Sequence, residues 1–169
     1  MDLDERISAI CVSVVSGVGL EEVILRFGGD VTTSTRTTFA DAFNSHPGPT
    51  YVLAAESAAG VVVAENDGWW GVRLAERVSC GGTLAAYSSS GNADMTYVHA
   101  VDGTVVATFD PLLDEVPSAL AAAAAGLDFD DESVGAPSFA LLARFTGVRI
   151  EQHWLLDKPH LRVVVPSPH

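Results

Sequence analysis

Apolar and polar positions along the chain change period several times, and those changes predict the elements. Ile10, Val12, Val14 and Val15 form a β-branched run that favours a strand. Residues 2–9 before it have helical character. "GLEEVILRFGGD" reads as a helix, because Glu21 and Glu22 suit its positive N-terminal end and Gly28–Gly29 close it. "VTTSTRTT" reads as a polar connection, after which Thr37 or Thr38 caps a short helix running through Phe43.

The middle of the chain alternates at the period of strands. "TYVLAAES" and "VVVAEN" form a hairpin across the small-residue turn "SAAG", and "TLAAYSS" is another strand. Between them "GWWGVRLAERVSCGG" fits a short amphipathic helix stopped by Gly81–Gly82. In "MTYVHAVDGTVVATF" two β-rich runs flank Asp102–Gly103, a pair suited to the positive φ angles of a tight hairpin. "VPSALAAAAAGL" and "APSFALLARFTGV" carry proline near the start and glycine near the end, the asymmetry of helices. "DFDDES" is an acidic loop between them, and "HLRVVVP" is a last strand suited to a sheet edge. The expected fold is α+β: a mostly antiparallel sheet of five or six strands packed with several helices. Strands are expected at 51–56, 61–65, 83–88, 95–101 and 104–109. With no internal repeat or linker, 169 residues fit one domain spanning 1–169, since domains run to roughly 100–200 residues.

Composition narrows the partners. A net charge of −13 argues against nucleic acid, whose binding needs clustered Lys and Arg, and favours steering toward a basic protein surface. Lys158 is the only lysine, and the bias to Ala, Val, Gly and Arg is that of a high-GC bacterial genome. The acidic start "MDLDER" lacks a secretory n-region, and the apolar runs fall short of the roughly 20 residues a membrane span needs. A cytoplasmic protein that does not engage a membrane is expected.

The ordered series "CVSVVSGVGLEEVILRFGGD", "VVVAENDGWWGVRLAERVSCGGTLAAYSSS", "YVHAVDGTVVATFDP" and "ALLARFTGVRI" resembles an uncharacterised actinobacterial family, the domain of unknown function 6461. Its landmarks are a glycine after the first strand, "E-N-x-G-x-x-G" at Glu65–Gly71, "S-x-G" at Ser79–Gly81, "DG…FDP" at Asp102–Pro111 and "TGV" at Thr146–Val148. The resemblance implies a family and carries no activity, cofactor or site with it.

Candidate chemistry comes from single residues. Cys80 stands beside a glycine pair, but the negative end of a helix dipole works against a nucleophilic thiolate there; Cys11 reads as core. His46, His99, His153, His160 and His169 show no metal-ligand spacing, so no metal is expected. "SSSGN" lacks the nucleophile elbow, and "GVG" at 17–19 lacks the rest of a phosphate or dinucleotide loop, so no cofactor is expected. Two readings of the function remain. In the first, the protein is a non-enzymatic interaction protein of the bacterial conflict or regulatory type, binding another protein with a basic surface. Its recognition loop is Glu65, Asn66, Asp67, Trp69 and Trp70, with one tryptophan as an aromatic anchor and the other in the core. The competing reading of that loop is a plain strand-to-helix turn, capped by Asn66 or Asp67. In the second, the protein is a small enzyme or ligand-binding protein of specialised metabolism. It would use Glu56, Glu65, Tyr97 and His99 as acid and base in a pocket between sheet and helices, with His99 meeting Glu65 or Glu56.

Overall fold

A computed structural model describes residues 9–44, 49–66, 68–92, 94–129 and 134–166. Residues 2–8 of the helix expected over residues 2–9 and the core of the acidic loop lie outside the described residues, as do Asp67, His46 and His169. The strands are β1 (Ile10–Ser16), β2 (Thr35–Thr37), β3 (Tyr51–Ser57), β4 (Gly60–Asn66), β5 (Thr83–Ser89), β6 (Met95–Val101), β7 (Thr104–Phe109) and β8 (His160–Val164). The helices are α1 (Leu20–Arg26), α2 (Phe39–Asn44), α3 (Trp70–Arg73), α4 (Ala75–Ser79), α5 (Ala121–Ala124), α6 (Gly135–Thr146) and α7 (Gln152–Asp157).

The fold is α+β, with one fully antiparallel sheet in the order β2-β8-β3-β4-β1-β5-β6-β7. It has eight strands among the described residues rather than the five or six expected. Seven of them fall on runs that read as strands in the sequence, and the eighth is β2, inside the tract read as a connection. Its sequence Thr-Arg-Thr has no apolar alternation, and it becomes a strand by pairing with β8 at Arg36↔Leu161. That pairing moves β8 inward from the expected edge, to a place between β2 and β3.

β1 is central, and its residues from Ile10 to Val15 are all buried, which is why it reads as a continuous apolar run. Val12 and Val14 face a core shared with Leu53, Val62, Tyr87, Tyr97 and Phe109 and covered by α2, α5, α6 and α7 through Phe39, Leu141, Leu142 and Leu155. Val15 faces the opposite core with Val61, Val63, Ala86 and Val98, covered by α1 and α4 through Ile24 and Val78. These are called the α6 face and the α3 face below. Helices therefore cover both faces of an antiparallel sheet, and both must be apolar.

The Asp102–Gly103 hairpin forms as expected, with φ of 47° and 79°. α6 ends on Gly147 at φ 73°, a left-handed C-cap. "VPSALAAAAAGL" gives only a 3-10 turn at Ser118–Leu120 and the four-residue α5, whose last carbonyls are taken by Arg144. No helix among the described residues is long and apolar enough to cross a membrane.

Candidate functional site

A polar row crosses the α3 face, in a sheet otherwise lined there by valine and alanine. Register places Glu65 of β4 beside Cys11 of β1, Cys11 beside Ser88 of β5, and Ser88 beside Thr96 of β6. Glu65 is 1% exposed, yet its carboxylate is satisfied, accepting the backbone N–H groups of Trp70 and Gly71 at 2.8 Å each. α3 thus begins on a buried carboxylate, which supplies the acceptor that its first N–H groups need. The cap was expected from Asn66 or Asp67. Asn66 instead extends β4 opposite Ile10, and Trp69 occupies the N-cap position with no side-chain cap.

Burial raises the Glu65 carboxyl above the ordinary range, against the opposing pull of the Gly71 and Trp70 N–H groups. The Cys11 thiol is raised by burial first and by the Glu65 charge second, which keeps it a neutral thiol rather than a nucleophile. Around this pair the hydroxyls of Ser13 and Ser88 and the Trp70 Nε1–H are buried with no partner among the described residues. Gly71 lets α3 lie this close, because a Cβ there would overlap Ser13 Oγ.

The two tryptophans diverge, though not because the segment is extended. Trp70 opens α3 and packs on the core of the α3 face, whereas Trp69, at φ −139° and ψ 24°, borders an open groove. Both are half-buried. The groove holds about 430 Å³ and lies where β6 begins and β7 ends. Trp69 and Met95 supply apolar surface over the buried Phe109, and Asp94, Asp110 and Asp114 supply carboxylates. Asp110 accepts the Leu112 N–H at 2.8 Å, and Asp114 accepts the Asp110 N–H at 2.9 Å, so the turn after β7 holds both acids in place. An indole beside carboxylates suits a cationic side chain, through ring-face attraction and charge-assisted hydrogen bonds. Sequence reading found Trp69 and missed the three aspartates. The signal for two of them, the D-x-x-x-D of "DPLLD" at Asp110 and Asp114, is local, whereas the meeting of all three with Trp69 depends on the β6–β7 pairing.

The remaining candidates do not converge. Tyr97 points to the α6 face, fully buried beside Phe109, with its hydroxyl unpartnered among the described residues and raised by burial. His99 is on the same face, 6% exposed, stacked on Phe145 at 4.0 Å and lowered by burial. Glu65 and Glu56 belong to the opposite face, where Val61, Val63, Val52 and Ala54 of their strands lie. The sheet therefore stands between the two carboxylates and Tyr97 and His99, and the expected meeting of His99 with Glu65 or Glu56 does not occur. Glu56 is exposed at the far end of β3 from Glu65's neighbours. Cys80 caps the C-terminal end of α4 and is exposed. Among the described residues no three His, Cys, Asp or Glu side chains gather as a metal set.

Over residues 3–169 the chain matches the family described as "Family of unknown function (DUF6461)", and it belongs to that family. Comparisons with curated proteins and with solved structures each find no match.

Proposed function

We propose that this family member is a non-enzymatic binding protein that takes a basic segment of a partner protein into the groove beside Trp69. The observation that carries this reading is the groove itself, in which the Trp69 indole and three aspartates border one surface. A lysine or arginine side chain would lay its stem on the aromatic surface and its charge among the carboxylates. The net charge of −13 would steer such a partner in and disfavour a phosphate backbone. The bias to Ala, Val, Gly and Arg fits a high-GC bacterial host, and the role proposed is that of a cytoplasmic protein of the conflict or regulatory type. The acid–base alternative loses its support because its four residues occupy opposite faces of the sheet.

The test is copurification from the native host, comparing the wild type with Trp69→Ala and Asp94→Asn. The wild type should retain a basic protein. Trp69→Ala should weaken that complex by about 2 kcal/mol, the loss typical of an aromatic anchor, and added salt should weaken it further. A partner held equally by wild type and both variants would overturn the reading.

A further inference from the structure

A second cleft, at the other end of the sheet, concentrates positive charge in a chain that has little of it. It holds about 280 Å³, and its walls include Arg36 of β2, Glu56 of β3, Trp154 of α7 and the Lys158–Pro159 turn that leads into β8. The chain has 9 Lys and Arg against 22 Asp and Glu, and Lys158 is its only lysine. The ion pair among the described residues is Arg26–Glu22. Arg36 and Lys158 thus share a cleft with Glu56, with no carboxylate of the described residues within ion-pair distance. In so acidic a molecule, two cations left unpaired on one cavity mark a place for an outside anion.

We propose that this cleft binds a small organic carboxylate with a planar apolar body. Its charge would be held by Arg36 and Lys158, and its body would lie on the Trp154 indole and Leu161. Two cations beside one carboxylate leave a local balance of one positive charge, which matches a monoanion better than a doubly charged phosphate. The volume lies just below the range of drug-sized ligand pockets, about 300–1,000 Å³, which suits a single ring. His160 also lines the cleft, but it is committed elsewhere: its Nε2–H donates to Leu155 O at 2.9 Å, and its ring sits edge-on to Trp154 at 5.0 Å. His160 therefore orients the indole and leaves the anion to the cations.

The experiment is a titration of the full chain with benzoate, benzamide and inorganic phosphate, followed by the NMR signal of the Trp154 indole N–H, assigned by its loss in Trp154→Phe. Benzoate should shift that signal saturably, while benzamide, which has the same shape without the charge, should not, and phosphate should bind more weakly than benzoate. Arg36→Gln and Lys158→Gln should each weaken benzoate about tenfold, the scale of a charge-assisted hydrogen bond, with melting temperature unchanged. Trp69→Ala should leave benzoate binding intact, so this site and the groove stand or fall separately. An unmoved Trp154 signal, equal responses to benzoate and benzamide, a preference for phosphate, or full affinity in both cation variants would each overturn the proposal.

Discussion

Gly71 is where the loop after β4 comes closest to the sheet, and its consequences are single-residue ones. A methyl group there would overlap Ser13 Oγ and press on Cys11 Sγ. Gly71→Ala should therefore destabilise by about 1–3 kcal/mol, as overpacking does. Ser13→Ala alone should cost little, because the hydroxyl it removes is buried without a partner among the described residues. In the double variant it should recover most of the Gly71→Ala loss. Denaturant melts of the two single variants and the double variant measure this, and strictly additive losses would place the strain elsewhere. Sequence reading marked Glu65 as a site residue and Gly71 as the last glycine of a family landmark. It could not show that Glu65 reaches forward five and six residues to cap α3, since that reach needs β4 and α3 already packed on β1.

At the scale of elements, the segment read as one helix is two short ones, α3 and α4, hinged at Leu74 with φ −99° and ψ 14°. The break gives the tryptophans different settings. Trp70 packs with Val72 and Leu74 on the core of the α3 face, and Trp69 faces the groove. Trp70→Ala should cost about 3 kcal/mol, near the lower end for a large aromatic because the ring is only half-buried. Trp69→Ala should cost clearly less in the same denaturant melts. Equal losses would make both rings structural and remove the groove's anchor. The elements most legible in advance were those with local signals: the Asp102–Gly103 hairpin, α1 closing on Gly28, and α6 closing on Gly147. β2 and α7 were missed because nothing local defines them. Three polar residues become a strand only beside β8, and the six residues of α7 become a helix while packing Leu155 into the α6-face core.

Across the whole molecule, covering both faces of the sheet buries titratable groups on each, and their pH effects oppose one another. His99 and His160 are lowered below their ordinary 6.5, chiefly by burial. The stability tied to their neutral forms is full above pH 6.5 and is lost as pH falls, because the unfolded chain then binds protons that the folded chain refuses. Glu65 is raised above its ordinary 4.5, again chiefly by burial. Its contribution is full below pH 4.5 and is lost as pH rises through the folded value, because the folded chain now holds the extra proton. Between pH 7 and 5 acidification should weaken the protein through the histidines while Glu65 offsets part of the loss. Glu65→Gln removes that offset. Whatever its own cost at pH 7, the variant should lose more stability than the wild type between pH 7 and 5, as read from denaturant midpoints at each pH. A flatter profile in the variant would mean that the two α3 N–H bonds outweigh burial and hold Glu65 ionised below its ordinary range. The buried row would then be a charged helix cap at all working pH, and the neutral state of Cys11 would depend still more on the negative charge beside it.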